Sequence, residues 1–443
     1  MMQLSDDGQY HPVPTGTCTG CGLCAAVCPQ LPNNGDTAGK LPENSLTSAS
    51  LLGDGTEIKT WAGYASNLQQ RLRSASGGLL SLVLEHLIDT GAIDAAVVVG
   101  RSRSQRPLFE ATLARTVDDV QRCASSKYYP VELSRILAEL RISKERVAVV
   151  GLPCHVNAVR RLMDRSAGMR DLIIWLFGLV CGRGASTHFT EMLLSATGVS
   201  EERAETLSYR DKAGSRTARD FAFRAFGKNG PIGRRVAAGR FVYMGAWTRR
   251  IFVPRGCDFC TDCFAERADA SFMDAWLPEY APDTRGTSLV ITRNSRAAGL
   301  LLDLAAKRVA VVGEISEEKV VQSQASVVRY KRQLIRPRIS QALARGRPVP
   351  DALFRLAAEG TDAARRENER YCRNRQRSLR IWRTSLPPRV KIALMALFVG
   401  PGVWRYLRAI GGWFLGSRSK LHLRRIKRRL EAHLHKGGMD GNG

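Results

Sequence analysis

The sequence has no uninterrupted run of about twenty apolar residues, so a membrane-spanning helix is not expected. It lacks a basic-then-apolar start as well. Met1 to Tyr10 is acidic and polar, which argues against export through a signal peptide. No internal repeat is found, and that excludes a repeat array. No convincing catalytic triad is present, so no side chain is expected to serve as a nucleophile. Acidic residues are scarce: 41 Asp and Glu stand against 67 Lys and Arg, a formal net charge of +26. The deficit is local. Lys331 to Gly443 hold 27 Lys and Arg against 7 Asp and Glu, whereas the preceding 330 residues are only mildly basic. Whatever the positive charge does, the C-terminal segment does it.

What the chain does have is cysteine. Eight of its eleven cysteines fall into two sets. Cys18, Cys21, Cys24 and Cys28, followed by Pro29, make C-x2-C-x2-C-x3-C-P, the bacterial ferredoxin run. Such spacing wraps a 4Fe-4S cubane, with Gly20 and Gly22 relieving backbone crowding. Cys28 either closes this cluster or crosses to the other set. Zinc is the plainer alternative, although zinc motifs usually split their ligands into two separated pairs. The second set is scattered: Cys154, Cys181, and the pair Cys257 and Cys260. C-x-x-C spacing in a chain of 443 residues argues for metal in a reducing compartment rather than for disulfides, with the cytoplasm as the default.

The hydrophobic and charged fractions, 44% and 24%, are those of a globular protein long enough for two or three domains. Leu31 to Gly55 reads as loop. Helical spacing over Leu79 to Ile88 is followed by a β-branched run over Ile93 to Val99, the mark of a strand buried on both faces. The alternation continues with helix over Leu133 to Leu140, strand over Val147 to Val150 and helix over Val156 to Met163. Strand over Leu172 to Val180, helix over Phe189 to Ala196, strand over Ser288 to Thr292 and helix over Ala297 to Arg308 complete it. Such alternation predicts a layered α/β core, a mixed α+β chain overall. Ser208 to Val253 suggests antiparallel strands, and the chain beyond Tyr330 reads as mostly helical and Arg-rich. Cys154 and Cys181 each follow a predicted strand at its carboxyl end, where open α/β sheets place ligands. Taken singly, each reads as a buried structural cysteine.

Several stretches taken in order carry a resemblance. They are Arg73 to Gly78, Ser125 to Tyr129, Gly151 to His155, Gly178 to Gly182, Ser208 to Lys212, Cys257 to Cys260, Ala268 to Ser271 and Asp274 to Pro278. Together they make the chain, from about residue 15 to 310, resemble the family of β-subunits of coenzyme F-420 hydrogenases and dehydrogenases. The resemblance implies FAD and one or two 4Fe-4S clusters, and the two cysteine sets of this chain make two the expected number. It makes Cys154, Cys181, Cys257 and Cys260 the core cluster ligands, and Cys18, Cys21, Cys24 and Cys28 a ferredoxin-like extension. It also puts Arg73, Ser76, Gly77, Gly78, Ser126, Lys127 and Tyr128 in flavin-binding segments. Glycines opening a helix suit a pyrophosphate, and Lys127 suits phosphate or a reduced flavin. Tyr128 either stacks on the flavin ring or packs in the core. Many relatives carry Gly where this chain has Met273. Cys263 is either a spare thiol or a substitute ligand, Cys123 and Cys372 read as structural, and His155 as a hydrogen-bonded histidine.

The expected organisation is a cluster segment over residues 1–56, an FAD and 4Fe-4S core over 57–330, and a basic helical tail over 331–443. In the tail, Ile392 to Val399 and Val403 to Leu415 are short apolar pieces, followed by the basic run Arg424 to Arg429. They fit the anionic inner face of a membrane, or an acidic partner, better than nucleic acid, because no recognisable nucleic-acid fold accompanies them. Arg365 to Arg383 reads as a solvated helical face. The expected function is hydride exchange at flavin coupled to single-electron transfer through the clusters. The hydride carrier is the deazaflavin coenzyme or another reducible substrate, and the electron carrier a redox partner protein. The Asp274 to Pro278 stretch resembles bacterial members associated with cell-surface polysaccharide synthesis. The alternatives are a non-catalytic iron–sulfur electron-transfer subunit and a zinc-stabilised nucleic-acid-binding protein.

Overall fold

The computed structural model describes residues 1–31, 52, 57–104, 106–350, 353–354, 357 and 360–399. A short N-terminal hairpin, β1 (Met2–Leu4) and β2 (Tyr10–Pro12), precedes the first cysteine run. The core is an eight-stranded sheet. Its strands are β3 (Lys59–Ala65), β4 (Ala95–Arg101), β5 (Phe109–Ala114), β6 (Val147–Gly151), β7 (Ile173–Leu179) and, after an excursion, three more. That excursion forms a separate antiparallel sheet of β8 (Thr206–Asp211), β9 (Ala222–Gly227) and β10 (Gly230–Ala237). The chain then returns as β11 (Ala270–Asp274), β12 (Ser288–Thr292) and β13 (Ala310–Glu314). Strand order in the large sheet is β13-β3-β12-β11-β7-β6-β4-β5. The four central strands β11, β7, β6 and β4 run parallel, and the outer pairings are antiparallel.

Alternation along the strands builds the layers, since successive side chains point to opposite faces. On one face Ala96, Val98, Ala148, Trp175, Phe177 and Val290 meet Leu79, Val83 and Leu87 of the Leu79–Asp89 helix, and Leu301 and Leu304 of the Ser295–Ala306 helix. On the other face Ala95, Val97, Val147, Val149 and Leu176 meet Val156, Val159 and Met163 of the Pro153–Arg165 helix. A sheet covered on both faces needs near-continuous apolar strands, which is why β4 reads Ala-Ala-Val-Val-Val. The layered α/β core expected from the sequence is therefore present. The β4 expectation is shifted by two residues. Asp94 is held outside the strand because its carboxylate accepts from the Arg146 backbone and guanidinium at 2.8 Å.

The segment beyond residue 330 does not stand apart. The Asp362–Trp382 and Pro388–Val399 helices bring Ile381, Trp382, Ile392 and Met395 into the core that also buries Phe189, Met192 and Leu193. The Pro387-Pro388 pair separates these two helices, as Pro at a helix start allows. The 362–382 helix is solvated on one side only, because Asn368, Asn374, Arg375 and Ser378 are buried. Val403 to Leu415, Arg424 to Arg429 and most of the Leu31 to Gly55 stretch lie outside the described residues. Among the described residues no helix is long and apolar enough to cross a membrane.

Glu191 ties the C-terminal helices down. It accepts from the Trp382 indole at 2.8 Å and from Thr187 at 2.9 Å, with the His188 ring at 3.0 Å. Burial alone would raise its pKa, but hydrogen bonds from His188, Trp382 and Thr187 win and bring it down to about 2. A carboxylate with a depressed folded-state pKa stabilises the fold above its unfolded value and loses that contribution as pH falls through the folded one. Acidification from pH 5 towards pH 2 should therefore release the C-terminal helices, read as new proteolytic cleavage after Trp382. Glu191→Ala should produce the same release at neutral pH, with a loss of about 2 kcal/mol in denaturant unfolding.

Candidate functional site

The parallel strands determine where the site lies. β6 and β7 lie side by side with Gly151 opposite Gly178, and both leave the sheet at their carboxyl ends. β6 turns into the Pro153–Arg165 helix, which carries Cys154 in its first turn, and β7 runs on to Cys181. The loop after Pro254 brings in Cys257 and Cys260. These four cysteines share one electrostatic neighbourhood. Burial raises the Cys154 thiol, with further upward contributions from Cys260, Cys181 and Cys257. Burial likewise pushes Cys257 up to about 11, helped by Cys181 and Cys260. The Gly184 amide donates to Cys257 Sγ at 3.2 Å, and the Lys331 ammonium donates to Cys260 Sγ at 3.1 Å. Among the described residues no three Cys, His, Asp or Glu side chains stand close enough to grip a single metal ion.

Cys263 lies near this group, its thiol feeling the same Lys331 ammonium that meets Cys260. Its side chain is fully buried in an apolar cluster with Phe264, Met273 and Leu289. Its carbonyl accepts from the Cys181 amide at 3.1 Å, so it props the neighbouring strand end. In the N-terminal run, Cys18, Cys21 and Cys24 are exposed and Cys28 is half-buried. Gly20 and Gly22 both take left-handed φ, +70° and +69°, which a side chain would strain. The short Leu23–Val27 helix rests on the Pro153–Arg165 helix, and the buried Arg161 donates to the carbonyls of Cys28 and of Leu31, the latter at 2.9 Å. The helix that carries Cys154 thus also props the N-terminal cysteine run.

A cavity of about 590 Å³ opens beside the same strand ends, well within the range of cofactor sites. Five of the seven residues expected at flavin line it: Ser76, Gly78, Ser126, Lys127 and Tyr128. Gly77 and Arg73 do not. A Cβ on Gly77 would stand 2.6 Å from the Gly63 carbonyl and 2.7 Å from the Ser288 amide, so its role is to seat the turn against β3 and β12. Arg73 is exposed and donates to Gln121 at 2.8 Å. Gly78, at φ +85°, opens the Leu79–Asp89 helix without any side-chain cap, leaving its first amides free. Lys127 turns inward. Its ammonium donates to the carbonyls of Cys123, Ala124 and Ser125, and desolvation brings it down to about 8. Tyr128 lines the cavity while packing on Trp247 at 4.6 Å and Tyr209 at 5.2 Å between ring centroids.

Two buried arginines of the wall escaped sequence reading. Arg210, 5% exposed, pairs with Asp274 at 2.9 Å and lies 3.9 Å from the Phe221 ring centre. Burial would lower its pKa, but Asp274 more than compensates and keeps it charged. Its Nε is buried without a partner, as is the Ser125 hydroxyl, and both residues line the cavity. Arg183 donates to the Trp247 and Ile251 carbonyls at 2.7 Å and lies 4.3 Å from the Trp247 ring. Burial brings it down to about 9. Both arginines sit within or beside stretches that carried the resemblance, but nothing in a single sequence separates a buried arginine from a solvated one. Met273 lies in β11 and lines the cavity.

The fold and its matches define the chain as a member of an oxidoreductase family. It matches the model for coenzyme F-420 hydrogenase/dehydrogenase, beta subunit N-term, over residues 60–138 and the corresponding C-terminus model over 144–318. The chain belongs to this family. It is 26% identical over 219 residues to a coenzyme F-420-dependent sulfite reductase of Methanocaldococcus jannaschii, covering 44% of this chain and 35% of that protein. It is 29% identical over 164 residues to one of the subunits of the F(420)H(2) dehydrogenase of Methanosarcina mazei, covering 37% of this chain and 41% of that protein. The match therefore takes in less than half of either relative. A chain from the F-420-reducing nickel–iron hydrogenase complex of Methanosarcina barkeri shares the fold, with a TM-score of 0.51 and 16% identity. That alignment spans 68% of this chain and 97% of the other.

Gly77→Ala tests the seat of the turn. The added methyl meets backbone on both sides, so a loss of about 1–3 kcal/mol is expected from overpacking. Calorimetric unfolding reads it, and a midpoint equal to that of the unaltered protein would refute the steric argument.

Proposed function

We propose that the protein is the flavin- and iron–sulfur-bearing subunit of an oxidoreductase. It exchanges hydride between FAD in the cavity and the deazaflavin coenzyme or another reducible small molecule, and passes electrons singly through two 4Fe-4S clusters to a redox partner protein. The observation that carries this reading is that Cys181 belongs to both places. It lines the cavity, and its sulfur lies in the neighbourhood of Cys154, Cys257 and Cys260. When bound, FAD exchanges electrons in pairs or singly, and each 4Fe-4S cluster takes them one at a time.

The residues fit these groups. Cys154, Cys181, Cys257 and Cys260 would hold one cluster, supported by the amide and ammonium donors on sulfur. Cys18, Cys21, Cys24 and Cys28 would hold the other at the exposed end, where a partner protein can reach it. The uncapped helix start at Gly78 suits the pyrophosphate. Arg210, held by Asp274, keeps positive charge on the wall where a reduced flavin gains negative charge. Tyr128 and Trp247 supply an aromatic face. Lys127 enters as the brace of its loop and not as a phosphate partner.

The Asp274 to Pro278 stretch, associated by resemblance with cell-surface polysaccharide synthesis, has a local reading. Asp274 anchors Arg210, and Trp276 lies 4.9 Å from the Arg210 guanidinium. The reading places the protein in the reducing cytoplasm, with the basic C-terminal segment against the anionic inner face of the membrane.

Anaerobic purification followed by a visible spectrum tests the proposal. Flavin bands near 450 nm over broad iron–sulfur absorption are roughly what bound flavin and clusters should give. Broad absorption alone would point to a non-catalytic electron-transfer subunit. Cys154→Ser should lower iron content by about one cluster's worth and spare the N-terminal cluster.

A further inference from the structure

Lys331 is a cation built into the cysteine site from outside the stretch that matches the family, which ends at residue 318. Its side chain is 2% exposed. The ammonium donates to Cys260 Sγ at 3.1 Å and to the Asp262 carbonyl at 2.6 Å. Among the described residues no carboxylate pairs with it at ion-pair distance. Asp262, the carboxylate that acts on it most directly, is engaged with the Asn157 amide and the Glu266 backbone at 3.3 Å.

The chain on either side clamps the lysine. The Tyr330 hydroxyl donates to Asp258 at 3.4 Å, and the Tyr330 carbonyl accepts from Arg338 at 3.1 Å. Arg332 pairs with the half-buried Glu266. From the Asp362–Trp382 helix, Arg375 donates to Asp258 at 2.5 Å. The part of the chain that looks like a basic tail therefore closes over the Cys257–Cys260 loop and presses one ammonium onto its sulfur.

We propose that Lys331 is a positioning residue that raises the reduction potential of the cluster held by Cys154, Cys181, Cys257 and Cys260. The inference rests on the cluster assignment made under Proposed function. Reducing this cluster adds one electron and one negative charge to it. No bond forms, no proton leaves the ammonium, and the electron comes from the reduced flavin already proposed for the cavity. A buried cation at sulfur stabilises the added charge more than water would, because the surroundings screen it poorly. A direct N–H···S hydrogen bond acts in the same direction. The reason for a costly buried lysine is then the charge of the reduced state, not the stability of the fold.

The test is a potentiometric titration of the full chain under anaerobic conditions, followed by electron paramagnetic resonance, with iron counted in each sample. Lys331→Met should move the midpoint of one cluster to more negative potential and leave the other where it was. At the poise that half-reduces the cluster in the unaltered protein, its reduced-to-oxidised ratio should fall at least about tenfold. Lys331→Arg, which keeps the charge, should stay close to the unaltered protein. Equal midpoints in the Met and unaltered proteins, with both carrying two clusters' worth of iron, would overturn the role of Lys331 and leave the cluster assignment standing. Iron that does not fall in Cys154→Ser would overturn the assignment and the inference together. Should the Met variant fail to hold iron, Lys331→Gln and the unaltered protein grown with isotope-labelled lysine decide the matter. Hyperfine coupling of one lysine nitrogen to the reduced cluster supports the proposal, and its absence refutes it.

Discussion

Two parallel strands that carry glycine side by side at or next to their carboxyl ends are the constraint on which the rest depends. Gly151 of β6 pairs in register with Gly178 of β7. A Cβ on Gly178 would stand 2.3 Å from the Ala265 side chain, and one on Gly151 would stand 2.7 Å from the His155 side chain. Without side chains at this point, the returning loop and the first turn of the Pro153–Arg165 helix can close onto the sheet edge. That closure brings Cys154 and Cys181 to the same edge and leaves the cavity open beside them. The position agrees with the general rule that open α/β sheets bind ligands beyond the carboxyl ends of their strands.

Around that edge the molecule concentrates positive charge where it cannot be solvated. Arg210 is matched by Asp274, but Arg183 meets carbonyls and the Trp247 and Phe189 rings, and Lys331 meets a sulfur and a carbonyl. Buried cations without carboxylate partners are expensive unless something negative joins them. Thiolates, a cluster and a reduced flavin would each meet that requirement. The N-terminal segment is held by the same logic on a smaller scale, because the buried Arg161 spends its guanidinium on the carbonyls of Cys28 and Leu31.

The C-terminal segment changes its meaning once packed. By composition it is a basic appendage. In the fold its first seventy residues supply Trp382 to the Glu191 pocket, Arg375 to Asp258 and Lys331 to Cys260. Net charge describes how a segment behaves towards distant partners. It does not say which of its side chains will be buried.

The layered core and its order were legible in the sequence because burial on both faces writes itself into periodicity. The helix over Leu79–Asp89, strand β12 and the antiparallel β8 to β10 region all follow from local pattern. The ferredoxin-type spacing of Cys18 to Cys28 was equally local, since four residues within eleven positions need no fold to bring them together. What only the tertiary structure decided depends on contacts across long stretches of chain. Cys154 and Cys260 are over a hundred residues apart, Arg210 finds Asp274 across sixty-four, and Lys331 reaches Cys260 across seventy-one. The inward turn of Lys127, the steric seat of Gly77 and the burial of Cys263 beside Lys331 were likewise invisible beforehand. Periodicity reports which face of an element is dry. It carries no information about which distant charge will be waiting there.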